Sequence, residues 1–128
     1  MVFSRATTII NIGHLPEHTT IKSRVLADDG FPNVIDVVYT DWETAKIKEL
    51  FVKTPDSVCL FGGAAPTSAP ELIAELTAFL NAECPGVIIY QTTRNDFDEG
   101  IKMPPTVEDV GKSAVNIARK LLREAGGV

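Results

Sequence analysis

The chain is poor in the residues that build metal sites and disulfide frameworks. Cys59 and Cys84 are its only cysteines, and His14 and His18 its only histidines. Their spacing matches no zinc site, and 128 residues are enough to bury a core without staples. Both cysteines therefore read as reduced structural residues of a cytoplasmic protein, with no metal and no other cofactor expected. Positive charge is scarce too. Twelve Lys and Arg stand against seventeen Asp and Glu, a formal net charge of −5. That balance argues against a surface for duplex nucleic acid, which wants a basic stripe. A small phosphorylated ligand stays open, because a few backbone N–H groups and one arginine suffice locally. No apolar run approaches the roughly 20 residues of a membrane span, so no membrane partner is expected. Residues Met1 to Arg5 lack the charged and apolar regions of a signal peptide. Neither G-x-x-x-x-G-K-[ST] nor G-x-G-x-x-G after a first strand occurs, which excludes a P-loop and disfavours a dinucleotide-binding enzyme.

What is present is an alternation of β-branched runs and amphipathic segments. Thr7–Ile12 reads as a first strand, ending at Gly13-His14. After a loop over Leu15–His18, a short helix is expected from about Thr20 to Asp28, stopped by Gly30. Val34–Tyr39 reads as strand two. Asp41 is placed to cap a helix over Trp42–Lys53, with Ala45, Ile47, Leu50 and Phe51 apolar and Pro55 closing it. Val58–Phe61 is strand three. Ser68 and Glu71 form an S-x-x-E capping box before a helix carrying Leu72, Ile73, Leu76, Phe79 and Leu80 on one face. Pro85-Gly86 breaks that helix, and Val87–Tyr90 is strand four. Asn95–Pro105 reads as a solvated acidic loop with room for a short edge strand. Thr106 caps a last helix, with Val107, Val110, Ala114, Ile117, Leu121 and Leu122 inward and Gly126-Gly127 at its end. Strands alternating with helices imply parallel strands and right-handed crossovers. The expectation is a single α/β domain over 1–128. It is a Rossmann-like or flavodoxin-like three-layer fold with a mainly parallel sheet of four to five strands.

In such a fold the carboxyl ends of the strands converge on one rim, where ligands bind. The rim residues here are Gly13-His14, Thr40-Asp41, Gly62-Gly63 and Thr92-Thr93-Arg94. The loop Gly62-Gly63-Ala64-Ala65-Pro66-Thr67-Ser68 is the strongest candidate for close backbone approach to an anion. Gly13, Gly62, Gly63, Ala64, Thr67, Ser68, Thr92 and Thr93 are the expected ligand-binding residues. His14 can donate, accept or carry a phosphoryl group, and Arg94 can fork onto a phosphate, so these two are the catalytic candidates. Asp41 is read as a helix cap first. Asp96, Asp98 and Glu99 match no calcium loop. The expected function is binding of a phosphorylated small molecule, most simply a nucleotide. Alternatives are phosphoryl transfer through His14, or an adaptor whose helices bind a protein.

Two family resemblances rest on these residues. Asn11-Ile-Gly-His14, with the glycine/proline loop Gly62–Ser68 leading into an Ala/Leu-rich helix, resembles the small stand-alone CARF-like accessory proteins of CRISPR systems. That resemblance implies a Rossmann-like homodimer in antiviral defence that senses a cyclic oligoadenylate. It also allows slow metal-independent cleavage, a ribose 2′-hydroxyl attacking in line while His14 or Arg94 stabilises charge. Leu15, Pro16, Ala64, Ala65, Pro66 and Met103 would then be available to a two-fold interface. His14 at the end of strand one, with Gly62-Gly63 after strand three, also resembles the mannose-type phosphotransferase EIIA domain. There the His accepts a phosphoryl group. This chain lacks the glycine after that His and the supporting Asp at the end of strand three.

Overall fold

Runs rich in Ile and Val form the strands, because branched side chains pack well on a pleated surface covered on both faces. The computed structural model describes residues 2–126. Its strands are β1 (Thr8–Gly13), β2 (Val34–Val38), β3 (Ser57–Phe61) and β4 (Ile88–Gln91). Its helices are α1 (Pro16–Asp28), α2 (Thr44–Lys53), α3 (Ala65–Ser68), α4 (Pro70–Glu83) and α5 (Val107–Ala125). The strands form one parallel sheet in the order β2-β1-β3-β4, with Ile10 between Ile35 and Cys59. Strand alternation splits the core in two. Ile10, Ile12, Cys59 and Phe61 face Ile47 and Phe51 of α2 and Leu76 and Leu80 of α4. Ile9, Val58 and Leu60 face Leu26 of α1 and Ala114, Ile117 and Leu121 of α5. The result is a three-layer α/β/α fold with the strand order of doubly wound flavodoxin-like proteins, cut short after the fourth strand. Among the described residues, no helix is long and apolar enough to cross a membrane.

Several boundaries differ from the sequence expectations for identifiable reasons. The first helix begins at Pro16, not near Thr20. Pro16 takes an early helical position, where its missing N–H costs nothing, and the supposed loop is the helix's first turn. Asp41 is not a cap. It ends a 3₁₀ turn over Tyr39–Asp41, and α2 starts later behind Glu43. Ala45 is exposed rather than inward. The Ser68–Glu71 capping box does not form. Pro66 and Pro70 each permit a helix start, so the segment splits into α3 and α4. The N–H of Ser68 is used up on Ala64 O at 2.9 Å, and Ala69 precedes α4 with no side-chain cap. No edge strand forms in 95–105; a 3₁₀ turn at Arg94–Asp96 and an irregular loop stand there. Ala65, expected at an interface, is buried against the α2–α4 core. The Thr106 cap does form, reciprocally with Asp109. Met1, Gly127 and Val128 lie outside the described residues, and with them part of the expected Gly126-Gly127 stop.

Gly111 sets the spacing of the α1–α5 pair. A Cβ there would stand 3.0 Å from Ile21 Cγ1 and 3.3 Å from Val25 Cγ2. Gly111→Leu should therefore overpack the interface and cost about 1–3 kcal/mol, despite leucine's better helix propensity. Urea unfolding checks this. Native-like stability in the variant would mean that the two helices do not approach so closely.

Candidate functional site

Between β1 and β3 the chain leaves the sheet in opposite directions, α1 toward one face and α3–α4 toward the other. A crevice opens at that switch point. Here it is a cavity of about 460 Å³, within the range of small-molecule sites. Its lining collects His14, Gly62, Gly63, Ala64, Thr92, Thr93 and Arg94, seven residues expected from the sequence. Leu15, Phe97, Met103, Pro104, Pro105 and Val110 supply apolar walls, and His18, Lys22 and Ser113 complete it.

Gly13 lies below the lining rather than in it. A Cβ there would sit 2.6 Å from Thr19 Oγ1, so the start of α1 can close over β1 only because residue 13 is glycine. Thr67 and Ser68 are exposed on α3 and do not reach the cavity. The backbone donors lie earlier in the loop than expected. Gly62 N–H continues the sheet to Ile12 O, and Ala65, Thr67 and Ser68 N–H turn back into the loop. Among the described residues, the N–H groups of Gly63 and Ala64 have no partner. The Gly62 carbonyl is held by Gln91 Nε2 at 2.9 Å, which ties the loop to the end of β4.

The opposite rim is pinned from below. Asp96 is buried and accepts from Thr93 N–H at 2.7 Å and from Tyr90 Oη at 2.6 Å. Asn116 Nδ2 donates to Asp96 O and to Asp98 Oδ1, both at 3.0 Å, and Lys112 pairs with Asp98 at 2.6 Å. The Lys112 ammonium beside it holds the Asp98 carboxyl below its usual range. Asp96 and Asp98 are thus braces rather than solvated charges, while Asn95, Glu99 and Gly100 of the same loop are exposed. The carboxylates of Asp96 and Asp98 are engaged with those partners, and Arg94 has no ion pair among the described residues. Thr92 Oγ1 is buried at the cavity without a partner. His14 is exposed and lies against the Tyr39 ring, centroids 5.5 Å apart.

Lys22 is the residue the sequence reading missed. It is only 5% exposed, lines the cavity, and its Nζ lies 3.4 Å from the position a Gly62 Cβ would take. Among the described residues its ammonium has neither an ion pair nor a hydrogen bond to protein. Burial lowers its pKa from 10.5 to about 8, against a smaller upward pull from Asp36. Asp36 itself is committed to Ser23 Oγ at 2.8 Å and Asn11 Nδ2 at 3.3 Å. A signal was available. His18, Lys22 and the fully buried Leu26 recur at i, i+4 and i+8. Starting the helix at Thr20 removed His18 from that stripe. The thiol of Cys59, by contrast, is sealed inside β3, and burial pushes its pKa up, so it is inert.

No protein-family model and no curated protein matches this chain. Among solved structures, a GDP-D-glycero-L-gluco-heptose synthase from Campylobacter jejuni, crystallised in the presence of NADPH, is similar. The match covers 95% of this chain and 44% of that one, at 10% identity and a TM-score of 0.47. The chain thus spans less than half the length of that enzyme. A likeness at this level carries no functional inference.

Keeping Lys22 inside works against stability. Its folded pKa lies below its unfolded value. Between about pH 8 and 10.5 the unfolded chain therefore holds a proton that the folded chain has released. Stability rises with pH across that window, and the full penalty, roughly 3 kcal/mol, acts below pH 8. Lys22→Met should therefore be more stable than the native chain at pH 7, with the gain fading above pH 10. Urea unfolding across this range measures it. A Met variant that is less stable at pH 7 would contradict the unpaired placement of this ammonium.

Proposed function

We propose that the switch-point cavity binds a phosphorylated small molecule, in the first instance a nucleotide. One observation carries the reading. A chain with net charge −5 lines this cavity with Lys22, Arg94, His14 and His18 and with no carboxylate. The neighbouring acids, Asp36, Asp96 and Asp98, are drawn into hydrogen bonds and ion pairs outside the lining. Local charge therefore runs against the global charge, as an anion site in an acidic protein requires. The unpartnered N–H groups of Gly63 and Ala64 and the hydroxyl of Thr92 can donate to phosphate oxygens. Phe97, Met103 and Leu15 give the rest of the cavity the apolar character that suits a nucleobase.

Within that reading, a cyclic oligoadenylate is the specific candidate, taken from the resemblance to CARF-like proteins. Such a ring exceeds one cavity, so the proposal includes a two-fold dimer that faces two cavities together. Leu15 and Met103, 43% and 41% exposed at the cavity mouth, are the apolar residues on hand for that contact. No observation favours phosphoryl transfer. His14 lacks a carboxylate partner among the described residues and rests on Tyr39 instead.

Thermal unfolding against a panel of adenosine mono- and diphosphates and cyclic oligoadenylates tests the proposal. A ligand at a hundred times its Kd adds about 2.7 kcal/mol, on the order of 10 °C in Tm for a chain this size. Gly63→Val, whose Cβ meets only Thr92 Cγ2 at 3.9 Å, should fold normally and lose the shift. Sedimentation of the ligand complex should give twice the chain mass. A native chain that responds to no nucleotide would overturn the reading. A liganded monomer would remove the cyclic oligoadenylate.

A further inference from the structure

We infer that Lys22 is a nucleophilic amine, able to form an imine with a phosphorylated aldehyde or ketone held in the same cavity. The inference rests on the cavity's being a phosphate-ligand site, but not on the ligand's being a nucleotide.

Depth separates the two cations of the cavity. Arg94 is exposed on the rim, in the turn braced by Asp96, and close in sequence to the Thr93 side of the lining. Lys22 is buried beneath Gly62, one helical turn before the fully buried Leu26. A ligand whose phosphate meets Arg94 and the free N–H groups of Gly63 and Ala64 would direct its other end inward, toward the amine. Apolar side chains make up much of the cavity wall around it. Lysines desolvated in this way act as nucleophiles, because burial favours the neutral amine with its free lone pair. Lys22 meets that condition. At a pKa of about 8, roughly a tenth of it is neutral at pH 7, against less than a thousandth of an ordinary lysine.

The step balances without any further reagent. The Nζ lone pair attacks the carbonyl carbon, and the C=O π pair moves to oxygen. A proton passes from nitrogen to that oxygen, giving a carbinolamine. Loss of water, which carries away the former carbonyl oxygen and the two amine protons, leaves the C=N bond. The hydroxyl of Ser113 and the imidazoles of His14 and His18 also line the cavity. Ser113 Oγ donates to Val110 O at 2.6 Å, which leaves its lone pairs available to a proton in transit.

Pyridoxal 5′-phosphate with borohydride reduction is the probe. The native chain has seven lysines. The expected result is one stable phosphopyridoxyl adduct per chain, mapped to Lys22, with a half-point for labelling below that of the exposed lysines. Lys22→Arg keeps the cation and should lose the adduct while staying folded by circular dichroism. Pyridoxal without the phosphate should label Lys22 at least tenfold more slowly. Labelling spread over exposed lysines with Lys22 unmodified, or a half-point above pH 10, would overturn the nucleophilic amine. Equal rates with pyridoxal and its phosphate would instead overturn the phosphate subsite, and so separate that failure from the first.

Discussion

The site depends on a constraint of connectivity. A right-handed crossover from β1 to β2 sends α1 over one face of the sheet, and the crossover from β3 to β4 sends α4 over the other. β1 and β3 are neighbours, so their carboxyl ends part with nothing between them. The remaining features of the rim follow from that gap. Gly13 lets the first turn of α1 fold back over β1. The Gly62 N–H extends the β1–β3 ladder by one bond to Ile12 O before the chain turns away. Gly63 and Ala64 are then left with donors directed at neither helix nor sheet.

Lys22 shows what the protein gives up to keep that gap polar. A methionine or leucine at this position would continue the stripe toward Leu26 and fill the α1 face of the cavity with apolar surface. The chain holds an ammonium there instead, without a counter-ion in contact, and the nearest acid is already engaged with Ser23 and Asn11. Unfavourable placements of this kind concentrate at functional sites, because only a ligand relieves them. Braces around the rim fit the same account. Asp96 holds Thr93 and Tyr90, Gln91 holds the Gly62 carbonyl, and Asn116 and Lys112 of α5 hold the loop from behind. A binding site gains affinity when such ordering is complete before the ligand arrives.

The architecture was legible in the sequence because hydrophobic period is a strong signal. Four apolar runs and the stripes over 72–80 and 107–122 were enough for the layers and for the four strands that form, though not to exclude a fifth. Local start signals were weaker guides. Asp41 and Ser68 are good capping residues by type, but tertiary packing and nearby prolines decided where α2, α3 and α4 begin. At the site, residues next to strand ends were found because topology alone puts them on one rim. Thr67 and Ser68 were lost because their assignment depended on a cap that does not form. Lys22 was hidden for a different reason. A lysine on a helix normally reaches water, and only the packing of α1 against the sheet shows that this one does not. Asp98 looked like solvent-facing charge because its partners, Lys112 and Asn116, lie on α5, far along the chain, and Asp96 because Thr93 and Tyr90 meet its carboxylate only in the turn that follows β4.

The central claim is that an anion enters beside Lys22. The most direct measurement is the titration of the Lys22 Cε–Hε resonances by NMR, without and with saturating adenosine 5′-monophosphate. The account predicts a midpoint near pH 8 in the free protein. It predicts a clear upward move with the nucleotide, because a nearby phosphate favours the charged amine. A midpoint near the ordinary lysine value in the free protein, or one that stays put when the nucleotide saturates, would contradict it.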